Sequence, residues 1–197
     1  MRRGRLVTAI LLILGPLASN ADPIEWHLFP NSQTVTVGQP FQLHLVVTCL
    51  GNGVPPTLEG FDVDITFSDV FTTDPNTVVF GNFLGDPSDP SETQTTSVLI
   101  GTEVLFLTEQ SLLADSALDA LQGSSFTLAS MTFTPNATGT YVISGDDFAG
   151  GLFLTDGSSL GPGVNIATVK VMPEPGASVV LVLGLAGMGL SGRRRRA

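Results

Sequence analysis

Phe41-Gln42-Leu43-His44-Leu45-Val46-Val47-Thr48-Cys49 decides the fold class. Phe41, Leu43, Leu45, Val47 and Cys49 alternate with Gln42, His44, Val46 and Thr48, a period of two that buries one face of a β-strand. The pattern returns at Phe61, Val63, Ile65 and Phe67, with Asp62, Asp64 and Thr66 pointing the other way. Gly51 to Pro56 between them reads as a turn or loop. Both halves are too regular in period two to be helical.

Working outward, Gln33–Val37 predicts a first short strand, stopped by Gly38 and Pro40. Asp22 to Ser32 reads as a lead-in, with Trp26 and Phe29 packing across a sheet end. Thr77–Phe80 is a further short strand, and Thr95–Ile100 with Glu103–Thr108 forms a hairpin around Gly101-Thr102. Four more strands are expected at Phe126–Phe133, Thr140–Ser144, Gly151–Thr155 and Val164–Val171. The one helical patch is Ser111–Leu121, with Leu113, Ala117, Leu118 and Leu121 on one face, Ser111 as cap and Gly123 as stop. Short strands separated by loops rich in Gly, Asp and Asn predict an all-β domain, a two-sheet antiparallel β-sandwich spanning 22–171.

The two ends of the chain read as addresses. Arg2, Arg3 and Arg5 precede the apolar run Leu6–Leu17, and Ser19-Asn20-Ala21 offers small residues for a signal peptidase. Residues 1–21 are therefore expected to be a signal peptide, with the mature chain beginning at Asp22. At the other end, 172–197 holds Pro173-Glu174-Pro175, an apolar run over Ala177–Leu190 and the cluster Arg193, Arg194, Arg195 and Arg196. Two prolines make the tripeptide an extended breakpoint. As a helix, Gly176 to Gly192 spans about 25 Å against roughly 30 Å of hydrocarbon, and terminal arginines can snorkel to the headgroups. The positive-inside rule keeps both arginine clusters cytoplasmic and places the chain between them outside the inner membrane.

Tripeptide, short apolar helix and terminal arginines in that order resemble the PEP-CTERM sorting signal of Gram-negative bacteria. The resemblance implies recognition by an exosortase in the membrane, processing near Pro173–Pro175, and delivery to an exopolysaccharide-rich, biofilm-forming envelope. Transient anchoring in the inner membrane and a final place at the cell surface or in the matrix follow from it.

Charge narrows the partners. The formal net charge is −10, but seven of the eight basic residues lie in the terminal segments. Between Asp22 and Val171, Lys170 stands alone against seventeen acids, a net of −16. Such a surface repels phosphate backbones, so nucleic acid is excluded as a partner. Cys49 is the only cysteine, so no intrachain disulfide can form; on an inward strand face it reads as a small buried hydrophobe.

Val37-Gly38, Gly60-Phe61-Asp62-Val63-Asp64-Ile65, Phe126 to Phe133, Gly139-Thr140-Tyr141-Val142-Ile143 and the closing strand to Val171 resemble the cohesin-type β-sandwich. The resemblance covers Gln33 to Val171. It implies a jelly-roll binding module, in a family that docks dockerin domains and neighbours carbohydrate-binding modules. The helix Ser111–Leu121 and the acidic loop Gly85–Glu92 depart from that pattern, so no contact residue carries over.

Motifs for chemistry fail on context. Gly157-Ser158-Ser159-Leu160-Gly161 spells G-x-S-x-G, but Pro162-Gly163 follows instead of a helix, and both histidines lie upstream. Gly187-Met188-Gly189-Leu190-Ser191-Gly192 spells a dinucleotide fingerprint inside the apolar tail, without a βαβ unit. Asp62, Asp64, Asp146 and Asp147 are the candidate ligands for calcium, which takes six to eight oxygens; no other cofactor is expected. Two function classes remain. One is a non-catalytic exported envelope or matrix protein for adhesion or exopolysaccharide assembly, with an exopolysaccharide or a protein as surface partner. The other is a secreted polysaccharide-acting enzyme using paired carboxylates such as Asp62 and Asp64.

Overall fold

The computed structural model describes residues 24–51, 56–160, 165–174 and 176, with backbone only at 147–150. The signal-peptide segment 1–21, with Ser19 and Ala21, lies outside the described residues. So do Pro175, the apolar run 177–190 and Arg193–Arg196. Among the described residues no helix is long and apolar enough to cross a membrane.

Among the described residues twelve strands form two sheets. The first sheet runs β1 (Glu25–Phe29), β3 (Phe41–Thr48), β9 (Ser125–Pro135), β5 (Phe71–Thr73), with β6 (Val79–Phe80) also on β9. The second runs β2 (Ser32–Thr36), β12 (Asn165–Met172), β10 (Gly139–Leu154), β4 (Leu58–Thr66), β8 (Val104–Ser111), β7 (Thr93–Ile100), with β11 (Ser159–Leu160) also on β10. The alternation in β3 and β4 does what period two requires. Leu43, Leu45 and Val47 from one sheet and Phe61, Val63 and Ile65 from the other are all fully buried in one core. Phe133 lies at the centre of an aromatic group, its ring centroid 5.1 Å from Phe67, 5.9 Å from Phe41 and 6.3 Å from Phe71. Phe71 in turn meets Tyr141 edge-on at 5.5 Å, joining the two sheets.

Several expectations are corrected. The sandwich is not wholly antiparallel: β2 pairs parallel with β12, from Ser32 opposite Thr168 to Thr36 opposite Met172. The lead-in contains β1, which pairs with β3 and buries Trp26 and Leu28 while leaving Phe29 57% exposed. Cys49 is exposed, because the chain leaves β3 there with φ of +65° and sends Leu50 inward instead. The strands expected at Thr140–Ser144 and Gly151–Thr155 are one continuous β10 with a bulge between Asp146 and Gly151. The final strand runs one residue beyond 171, to Met172, whose carbonyl accepts from Val37 N–H at 3.0 Å.

The helix is shorter than its apolar pattern predicts, α1 covering Asp115–Leu121. Ser111 belongs to β8 and its hydroxyl accepts from Leu113 N–H, so Ala114 is left at the N-cap with no side-chain hydrogen bond. At the other end Gln122 is buried and serves the sheet. Its Oε1 accepts from Leu58 N–H at 2.7 Å, and its Nε2 donates to Leu58 O at 2.6 Å and Phe83 O at 3.2 Å. A side-chain amide thus satisfies the backbone where β4 begins.

Gly145 fixes how closely the sheets approach. A Cβ there would come 2.7 Å from the Trp26 ring, below any ordinary contact. Gly145→Val is therefore expected to destabilise by about 2 kcal/mol through overpacking, read from the urea midpoint; an unchanged midpoint would show that the ring can move aside.

Candidate functional site

β4 carries its polar residues on the outer face of the seven-stranded sheet. Asp64 lies opposite Phe106 of β8 on one side and Asp146 of β10 on the other, while Asp62 lies opposite Thr108 and Gly151. Three of the four candidate acids therefore share one face. Asp147 follows in the bulge, and its side chain lies outside the described residues. Burial raises the Asp62 pKa, with the Asp64 charge adding to it. Burial likewise raises that of Asp64, with the Asp146 charge adding to it. Each has one buried carboxylate oxygen, Oδ1, without a protein partner. Even so, no group of three His, Cys, Asp or Glu among the described residues is placed to hold a metal ion. The acidic loops turn their carboxylates onto their own backbone and serines. Asp86, Asp89 and Asp156 each accept from the N–H and hydroxyl of the serine two residues on, and those bonds lower their pKa values.

Next to this acidic row is a cleft of about 450 Å³. Gly60 forms its floor, lying in register between Gln110 of β8 and Phe153 of β10. Glu59, Asp62, Thr108 and the turn Gly157–Ser159 complete the walls. Phe153 is 38% exposed and offers an apolar face there. The turn is hydrogen-bonded within itself: Leu154 N–H donates to Ser158 O, Gly157 N–H to Leu154 O, and Ser158 Oγ to Asp156 Oδ1. The G-x-S-x-G spelling thus falls in the tight β10–β11 connection, with Gly157 at φ of +78° and strand β11 behind it. Its geometry is that of a turn, not of a nucleophile elbow.

The backbone of Glu109 also lines the cleft, but its side chain shares the inward parity of Leu105 and Leu107. It is 1% exposed, and Oε1 has no protein partner. Burial pushes its pKa up to about 8, against a hydrogen bond with the Thr93 side chain that works the other way. Glu59 and Asp62 both come from β4, whereas a glycosidase needs two carboxyl groups flanking the scissile bond. His44, on the outer face of the other sheet, has Nδ1 2.8 Å from Ser130 Oγ and no metal-binding neighbour among the described residues.

Sequence reasoning located Asp62, Asp64 and Asp146 and missed the cleft beside them. Gly60, Gln110, Phe153 and Ser159 come from four strands, and only Gly60 gave a signal: a glycine within a strand marks a bulge or a close approach. A Cβ at Gly60 would come 2.7 Å from the Glu109 carbonyl oxygen.

Two sheets packed face to face and closed by a parallel terminal pair define a cohesin-like β-sandwich. A chain of a type I cohesin–dockerin complex from Clostridium thermocellum superposes with a TM-score of 0.57 at 12% identity, covering 76% of this chain and 99% of that one. A chain of a type II cohesin–X–dockerin complex from Acetivibrio cellulolyticus gives 0.53 at 18% identity, over 76% and 94%. A type III cohesin module from the cell-surface anchoring scaffoldin of Ruminococcus flavefaciens gives 0.52 at 12%, over 80% and 93%. At these identities the likeness is one of fold. No protein-family model matches the sequence, and no curated protein matches it.

Proposed function

We propose that the chain is a non-catalytic exported envelope or extracellular-matrix protein whose cohesin-like sandwich serves adhesion or exopolysaccharide assembly. The observation that carries this reading is the boundary of the sandwich. β12 ends at Met172, and Pro173 and Glu174 emerge directly from it, both exposed. A processing enzyme can therefore reach Pro173 and Glu174 without opening the fold. In this reading a signal peptidase acts at the Ser19–Ala21 end, and an exosortase recognises Pro173-Glu174-Pro175, the apolar segment and Arg193–Arg196. The protein is held briefly in the inner membrane and then released to the surface or matrix. A folded binding module whose cleft carboxylates, Glu59 and Asp62, come from one strand supports a protein or glycan partner rather than catalysis.

Replacing Pro173-Glu174-Pro175 by alanines is expected to block tail removal and leave the protein in the inner membrane. Mass spectrometry and fractionation from a host that has the sorting enzyme read both effects. Unchanged mass together with unchanged surface delivery would remove the sorting reading.

A further inference from the structure

We propose that the cleft over Gly60 is a subsite for a neutral sugar ring. The inference rests on the envelope reading above and names the ligand that this face would take.

The volume of about 450 Å³ lies within the roughly 300–1,000 Å³ of small-molecule sites. Its chemistry restricts the occupant. Asp62 brings a carboxylate to the cleft wall, an acceptor that favours a ligand carrying O–H or N–H groups. Gln110, Thr108 and Ser159 line the same space with groups that both donate and accept. Phe153, partly exposed, lines the cleft with an aromatic side chain, the kind of group that packs on the C–H face of a pyranose. Glu59 and Asp62 repel a uronate or a phosphate. An ammonium group would satisfy the carboxylates, but it has no acceptor for the Gln110 amide or the hydroxyl protons. A neutral polyol presents donors, acceptors and an apolar face together.

The walls are already in place. The flanking β10 is held in register with β4 at Gly151, Leu152 and Phe153, and β11 pins its far side at Leu152 and Phe153. Binding therefore spends little on ordering.

The test uses the full chain and neutral disaccharides as probes: cellobiose, maltose and N,N′-diacetylchitobiose, titrated while backbone amide resonances are followed. At least one is expected to shift Gly60, Asp62, Gln110 and Phe153 with a Kd on the order of 1–10 mM. Phe153→Ala and Gln110→Ala, both on the outer face, are expected to weaken that binding about tenfold with the melting temperature kept. The proposal is overturned by silent resonances up to about 20 mM sugar, by shifts confined to other surfaces, or by unchanged affinity in both variants. It is also overturned if N-acetyl-lysine methylamide binds the cleft and the sugars do not, which would make it a cation site. If the sugars fail while the Pro-Glu-Pro variant still blocks delivery, the envelope reading stands and the subsite falls.

Discussion

Phe133→Ala is expected to remove about 4 kcal/mol of stability, the largest loss from any single truncation in this core. Phe133 is fully buried and contacts three other rings, so alanine loses its own transfer energy and leaves a cavity among Phe41, Phe67 and Phe71. β9 is the strand on which β3, β5 and β6 all pair, so backbone shifts to fill that cavity would strain three neighbours at once. For a domain with roughly 5–15 kcal/mol in total, the variant would be close to its threshold. Urea unfolding followed by circular dichroism measures the loss, with Phe133→Leu recovering more than half of it. A loss below about 2 kcal/mol would mean that the site collapses freely and the ring cluster is loosely packed.

The second large effect depends on pH. Glu109 has a folded-state pKa of about 8 against an ordinary 4.5, so the fold holds a proton that the unfolded chain releases. Stability from this group is complete below pH 4.5, falls as pH rises from there to about 8, and is level above. The full shift corresponds to a loss on the order of 5 kcal/mol. Glu109→Gln keeps the shape and removes the titration. Its melting temperature should match the parent at pH 4 and below and exceed it at pH 9, with the gap opening between about pH 4.5 and 8. Parallel pH profiles for the two proteins would show that water or a nearby donor already serves the carboxylate.

Glu109 also illustrates where reading the sequence stops. Leu105 and Leu107 set an inward parity that Glu109 and Ser111 continue, but a carboxylate at the next inward position reads as the end of the strand, so the hairpin was expected to stop at Thr108. β3 and β4 were legible because their inward positions are all apolar. β1 was hidden because Glu25-Trp26-His27-Leu28-Phe29 is short and ends with an exposed Phe. The parallel pairing of β2 with β12 joins segments more than a hundred residues apart and leaves no local trace. The acids of the candidate face were legible as residues, since Asp62 and Asp64 lie on a plainly periodic strand. Their junction with Asp146 depends on the register of β10, and the cleft depends on Gly60 falling between Gln110 and Phe153. Neither is a property of one segment.

The parallel pairing of β2 with β12 has a mechanical meaning for any pull applied from the C-terminal side. β12 leads directly to Pro173, and β2 runs beside it in the same direction with five residues in register. Tension drawn out through Met172 against a restraint entering at Ser32 acts along both strands. They would have to slide past one another, so all the bonds between them resist together rather than opening one after another as in a peeled hairpin. Under such a pull the two strands at this edge of the seven-stranded sheet would act as a clamp.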